Sequence, residues 1–443
     1  MRPPVRLLGG LLAAVLWLLA AGPAHAVEVL RVKSPGGIEA WLVRDTLNPI
    51  LSLRFVFRGG AALDPAGKEG LARMTAALLD EGAGDMDTKA FRGTLEDRAI
   101  GLSFDASLDE FGGSLQVLTE HKDVAVRLLA LALTQPRFDA DATQRVRSQI
   151  LARIRRESEN PDTVAQTRLF AEMFPGHPYG RRTRGTLQSV AAIGVEDMRR
   201  TVRERLARDT LVVGAAGDIA PDELGRLLDA AFGALPAKAV PARIADVAPK
   251  LDARAIVVKT KVPQSAVAFA GPGLKRDDPD FYAAFVLNHI LGGGGFTSRL
   301  YEEVREKRGL AYSAGTSLHP LRHSAMTIGS AATANARVGE TIAVVRAEWQ
   351  RLADGGVGTA ELDDAKTFLT GSFPLRLTTL SAIAGMLTAM QLDSLGLDYL
   401  DRRNDYIRAV TPESVARVAR RLLDPARLLV VVAGEPDGLP DSD

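Results

Sequence analysis

Two apolar runs, Leu211-Val212-Val213-Gly214-Ala215-Ala216-Gly217-Asp218 and Leu429-Val430-Val431-Val432-Ala433-Gly434-Glu435, resemble each other although they lie far apart in the chain. Each closes a similar succession of elements. In the first half, strand-like runs at Val29–Lys33, Ile38–Val43 and Ile50–Phe57 are followed by helical patterns at about 67–82 and 87–99, and then by strands near 101–106 and 111–119. Helices at about 121–134, 139–158, 162–173 and 194–207 lead to the strand Leu211–Ala216, and a helix at about 221–233 follows. In the second half, strands near 254–259 and 264–270 precede helices near 278–291 and 298–308. Strands near 310–318 and 325–331 come next, then helices at about 336–353, 359–374, 380–393 and 411–423, and the strand Leu428–Val432. A repeat this long means two like-folded domains; solenoid periods are far shorter.

The order within each half sets the fold class. Strands grouped with helices, without strict βα alternation, predict an α+β fold built from two homologous α/β-layer domains. The Pro- and Ala-rich stretch 235–250 reads as the linker, so the domains are expected at 27–234 and 251–443. In Leu51-Ser52-Leu53-Arg54-Phe55, apolar and polar residues alternate as in a strand with one buried face. A chain of 443 residues is too long for one ordinary core. A net charge of +1, with no long charge run, argues against a nucleic-acid partner.

The N-terminus has its own logic. Arg2 and Arg6 precede the apolar run 7–21, and Ala24-His25-Ala26 follows. This is the pattern of a secretory signal, with cleavage expected after Ala26. Nothing between 30 and 443 is long and apolar enough to span a bilayer, so no membrane association is expected after cleavage. Export without a single cysteine suits a bacterial periplasmic protein, and it excludes thiolate metal sites and Cys nucleophiles.

The segment 291–312, LGGGGFTSRLYEEVREKRGLAY, carries the chemistry. Four glycines predict a loop at Gly292, Gly293, Gly294 and Gly295, because glycine is costly in a helix. Thr297 or Ser298 can cap the helix that follows, and Glu302 and Glu303 suit its positive end. Lys307 and Arg308 sit in its last turn, and Gly309 fits the left-handed position beyond it. Arg305, near the helix end, and Tyr312, just inside the next strand, can then converge. Taken alone, Arg305 reads as an ion-paired surface charge and Tyr312 as a half-buried strand residue. The glycines lack the Gly-Lys-Ser/Thr of a phosphate loop; they form either the rim of a substrate cavity or a plain connection.

The segment resembles the C-terminal half of the M16 peptidases, the insulinase, pitrilysin and mitochondrial-processing-peptidase family. Leu291, the glycines, Ser298, Arg299, Leu300, Glu303, Arg305, Glu306 and Gly309 to Tyr312 match its pattern. The N-terminal half carries two further likenesses, Leu63-Asp64-Pro65-Ala66-Gly67-Lys68-Glu69-Gly70-Leu71-Ala72 and Phe174-Pro175-Gly176-His177-Pro178-Tyr179-Gly180. The resemblance implies that Arg305 and Tyr312, seven residues apart, reach a catalytic metal centre, and that the glycine run helps admit substrate. A phenol or guanidinium there can stabilise the charge that builds on a peptide carbonyl oxygen.

The metal ligands themselves are missing. Active members carry H-x-x-E-H on the helix after Gly-Leu-Ala, where two histidines bind zinc and the Glu activates water. Alignment on Gly70-Leu71-Ala72 puts Arg73, Ala76 and Ala77 at those positions, and alignment on Asn160-Pro161-Asp162 puts Ala152 or Arg153 at the third ligand. No two of the six histidines make an H-x-x-x-H pair on a helix, since Pro320 separates His319 from His323. The chain is therefore expected to hold no metal.

The resemblance implies the non-metal subunit of a two-chain zinc peptidase. The partner would bring H-x-x-E-H and zinc, and the two chains would close as a clamshell around extended peptide added at a sheet edge. The alternative is an inactive peptide-binding or structural homologue with no hydrolytic partner. A role in maturing a peptide-derived cofactor in the cytoplasm conflicts with the export signal.

Overall fold

The computed structural model describes residues 28–439, so the expected export signal lies outside the described residues. The first sheet contains β1 (Leu30–Lys33), β2 (Glu39–Arg44), β3 (Ile50–Arg58), β4 (Gly101–Ala106), β5 (Glu110–Leu118) and β6 (Leu211–Gly217), in the spatial order β1-β2-β6-β3-β5-β4. The second contains β7 (Ala255–Lys259), β8 (Gln264–Pro272), β9 (Ala311–Pro320), β10 (Ala325–Ala334) and β11 (Leu429–Gly434), in the order β7-β11-β8-β10-β9. Apart from β1, the two orders are the same topology, with one parallel pair in each sheet (β2 with β6, β7 with β11). The recurrence in the sequence is thus a recurrence of whole α+β units. Residues 237–250 between them carry no helix or strand.

In the first half the helices are α1 (Leu71–Ala76), α2 (Thr88–Asp97), α3 (Lys122–Thr134), α4 (Ala140–Glu159), α5 (Pro161–Met173), α6 (Leu187–Ala191), α7 (Val195–Arg205) and α8 (Pro221–Phe232). The second half has α9 (Phe281–Asn288), α10 (Arg299–Tyr301), α11 (Val338–Gly355), α12 (Thr359–Gly371), α13 (Leu380–Leu392), α14 (Tyr399–Arg408) and α15 (Pro412–Leu422). Most follow the apolar periodicity closely. The exceptions have causes. α6 is a single turn set by a Thr186–Ser189 capping box. The span 67–82 shrinks to α1 because Gly70, at φ +96°, cannot continue a helix on its N-terminal side. Among the described residues no single helix is long and apolar enough to cross a membrane.

The halves exchange cover. Helix α5 of the first half lies on β8 and β11 of the second sheet, with Ala165, Leu169 and Met173 against Ala268, Leu429 and Val431. Helix α13 of the second half lies on β2, β3 and β6 of the first sheet, with Ala384, Leu387 and Met390 against Trp41, Val43 and Ala216. At Gly214 a Cβ would come within 2.2 Å of the Ala384 carbonyl oxygen, so only glycine lets α13 sit this close. Both faces of β6 and β11 are therefore covered, which explains why these strands read as continuous apolar runs. β3 is the instructive departure. Its alternation suggested one wet face, yet Ser52 is buried, with its hydroxyl 3.1 Å from that of Ser381 on α13. The polar residue serves the helix exchange.

Candidate functional site

Arg305 and Tyr312 meet. The Arg305 guanidinium lies 4.4 Å from the centroid of the Tyr312 ring and 4.9 Å from that of Tyr301, and donates to the Tyr312 carbonyl at 3.3 Å. Two aromatic faces and a carbonyl orient the fork without consuming it. Tyr312 is 79% exposed, so it is not the half-buried strand residue that the segment alone suggested. The nearest carboxylate to Arg305, that of Glu306, is 3.9 Å away, a loose ion pair.

Local structure builds this corner from the helix end. After α10 the chain takes a π-helical turn over Glu302–Glu306, with Lys307 N–H bonding the Glu302 carbonyl at 2.9 Å. Such turns recur at functional sites. Gly309 (φ +57°) ends it, with Leu310 N–H returning to Val304 at 2.8 Å, a Schellman closure. That closure aims the chain into β9, one residue before Tyr312. Glu303, buried inside the turn, accepts from Lys307 at 2.6 Å and Arg308 at 2.5 Å. Those cations, Lys307 first, hold its carboxyl at about 2 against the opposing effect of burial. Arg308 is thereby engaged at the helix end and is turned away from Arg305's role.

The glycine run differs from the expected loop. Gly292 and Gly293 continue α9 through a second π turn, His289–Gly293, and Gly295 opens a short 3-10 turn. The reason is close packing: a Cβ on Gly292 would lie 2.6 Å from the amide nitrogen and from Oγ1 of Thr316 on β9. Ser298 stands at the cap position of α10, yet its hydroxyl donates back to the Gly295 carbonyl. Gly292, Gly293 and Gly295 line a cavity of about 640 Å³ together with Arg305 and Tyr312, whereas Gly294 packs against His289. β9, an edge strand of its sheet, forms one wall from Tyr312 to Ser317. Within the chain, Thr316 Oγ1 in that wall is buried without a hydrogen-bond partner.

In the first half lie the residues that the sequence alignment set at the family's metal position. Asp64 anchors α1 by accepting from the N–H groups of Gly70 (3.0 Å) and Ala72 (3.1 Å). This is the physical content of the Asp-Pro-Ala-Gly segment. Arg73 follows one turn in, Ala76 is buried at the helix end, and Ala77 is its exposed cap. Arg153 on α4, which with Ala152 is one of the two residues aligned with the third ligand, is among the charges acting on Arg73, so two guanidiniums stand near each other here. A guanidinium pair cannot ligate zinc, and the alanines offer no donor. Among the described residues no group of three His, Cys, Asp or Glu could hold a metal ion. His177 has a structural role: its Nδ1 accepts from Tyr179 N–H, and Tyr179 donates to Asp109 at 2.6 Å. Asp109 in turn accepts from Arg322 N–H, tying the first sheet to the β9–β10 turn of the second.

Residues 41–187 match the profile of the insulinase family (peptidase family M16), and residues 192–369 match that of the peptidase M16 inactive domain. A Helicobacter pylori protein described as the non-peptidase homolog YmxG is 30% identical over 374 residues, covering 84% of this chain and 85% of the relative. An uncharacterised zinc protease of Streptomyces coelicolor is 27% identical, covering 89% and 87%. Among solved structures, a peptidase M16 inactive domain from Pseudomonas fluorescens superposes with a TM-score of 0.87 at 27% identity, covering 94% of this chain and all of that one. The chain belongs to the M16 family and has the two-domain fold of its inactive-domain members.

Two site residues were not singled out in the sequence. Tyr301 precedes Arg305 by one helical turn, a spacing that puts both on one face and could have revealed it. Arg184, which acts on Arg73 more strongly than any other charge, comes from a distant loop and left no local signal.

Proposed function

We propose that this chain is the non-metal subunit of a heterodimeric periplasmic zinc peptidase. In this reading Arg305 and Tyr312 project from its second domain toward the metal centre of an H-x-x-E-H partner. The observation that carries the reading is an oriented yet exposed Arg305–Tyr312 pair in a chain that has Arg73, Ala76 and Ala77 at the positions aligned with H-x-x-E-H. Zinc belongs to the partner. Extended, unfolded peptide adds its backbone to the free edge of β9, where Tyr312, Ser313 and Ser317 are exposed. Arg305 holds a backbone carbonyl by its fork, and the Tyr312 hydroxyl donates to the oxygen on which charge develops. The N-terminal Arg2, Arg6 and Ala24-His25-Ala26 pattern supports export.

The test is reconstitution. The mature chain mixed with its cognate H-x-x-E-H chain is expected to cleave an unfolded peptide that neither cleaves alone, with zinc found only in the partner. Full activity from the partner by itself would discard this function. A second reading, a peptide-binding protein with no hydrolytic partner, is favoured by the non-peptidase relative. Peptide binding without any reconstituted cleavage would select it.

A further inference from the structure

The position aligned with the first metal ligand is a half-buried cation with no anion. Among the described residues no acceptor bonds the Arg73 guanidinium, and its Nε is buried without a hydrogen-bond partner. Its surroundings make this worse. Burial, then Arg184, then Arg153 disfavour its charge; Asp105 and Glu157 act in the opposite sense without reversing it, and both accept hydrogen bonds from other arginines. Glu157 accepts from Arg153 at 3.0 Å and also from Arg184. Asp105 accepts from Arg54 at 2.9 Å. A cation kept partly out of water and beside like charges costs stability, and a fold that retains one has a use for a counter-charge from outside.

The space for that counter-charge exists. Arg73 lines a cavity of about 1000 Å³ walled by eight arginine or lysine side chains against five carboxylates, an excess of three positive charges. Arg58, across the same cavity, is a second half-buried guanidinium with no ion pair, and its charge is disfavoured by burial and by Arg322. The cavity also adjoins the Arg305–Tyr312 cavity: Gln166 and Phe170 of α5 line both.

We infer that the abandoned metal position has become a carboxylate-binding subsite, with Arg73 as its centre, which takes an acidic side chain or the C-terminal carboxylate of a bound peptide. A planar guanidinium fork pairs with a carboxylate by two parallel hydrogen bonds, which makes a carboxylate the fitting counter-charge. That the carboxylate arrives on a peptide rests on the proposed function; the anion site itself does not.

The experiment is a binding titration on the full mature chain alone, without partner or zinc. Three fluorescein-labelled peptides of one unfolded sequence serve as probes: one with a central Glu and an amidated end, its Gln counterpart, and the Gln peptide with a free C-terminal carboxylate. At low salt, at least one carboxylate peptide is expected to bind 10-fold or more tighter than the amidated Gln peptide. The preference should vanish in Arg73→Met, persist only in part in Arg73→Lys, which keeps the charge but not the fork, and shrink as salt rises. Which carboxylate matters tells side chain from chain terminus. Equal affinity for all three peptides, no binding of any at millimolar concentration, or an unchanged preference in Arg73→Met with native folding by circular dichroism would each overturn the subsite. Because the assay needs no hydrolysis, a failed reconstitution with an H-x-x-E-H chain leaves its outcome intact. Conversely, Arg305→Ala should weaken all three peptides alike and leave the preference in place.

Discussion

Arg305 and Arg73 occupy the working corners of the two halves, and their surroundings are opposite. Arg305 is oriented within its own chain: two aromatic rings flank it and the Tyr312 carbonyl accepts from it, yet it faces an open cavity beside an exposed phenol. Arg73 has no such support. It stands on a short helix near two other arginines, and its buried Nε is unbonded. A residue that acts on a partner's chemistry must be held in geometry before the partner arrives. A residue that waits for a ligand's charge can be left unpaired, at some cost to the free chain. The contrast separates a preorganised corner from an incomplete one, although both are built around a guanidinium.

That contrast can be broken most sharply at the phenol. Tyr312→Phe in the reconstituted pair is expected to lower kcat about 10²–10³-fold, the usual loss of an oxyanion donor. Its stability should be unchanged, because the hydroxyl is exposed. Unchanged turnover would remove Tyr312 from the chemistry and leave Arg305 a structural charge. Next in size is Gly292→Ala. The new methyl meets backbone of β9, which cannot rotate away, so stability should fall by about 1–3 kcal/mol in denaturant unfolding. A neutral result would mean that the glycine run is the plain connection after all.

The other corner should respond with the opposite sign. Arg73→Met removes a half-buried unpaired cation and should stabilise the free chain by about 1 kcal/mol. A loss of stability would show that Arg73 already has a partner in solution. The smallest effect is acid-dependent. The Glu303 carboxyl is held at about 2 in the fold, below its ordinary 4.5. Its contribution is therefore complete above about pH 4.5 and is lost as pH falls toward 2. Amide exchange at Leu310 should accelerate across that window, and Glu303→Gln should flatten the dependence. An identical acid response in the variant would assign the closure of the Arg305 helix to other bonds.

Much of the molecule was legible in the sequence because local rules decide it. The strands fall where apolar runs are bounded by glycine, and the helices fall where the 3.6 period holds. Gly309 adopts the left-handed conformation that its place after Lys307-Arg308 required. The meeting of Arg305 with Tyr312 follows from that one turn. The glycine run was less legible: its composition argued for a loop, but the closeness of β9, which no local pattern records, holds Gly292 and Gly293 in a helical turn.

The sequence by itself determined that the chain is two like halves, that Arg73, Ala76 and Ala77 offer no zinc ligand or carboxylate base after Gly70-Leu71-Ala72, and that an arginine and a tyrosine flank one helix end. These depend on residue identity, period and spacing, which are written along the chain. Only the tertiary structure decided that α5 and α13 cross between the halves, that Ser52 is buried beneath one of them, and that Arg73 and Arg184 line one basic cavity. Those outcomes arise from contacts between residues distant in sequence, and each is fixed by the requirement that both faces of a sheet be covered.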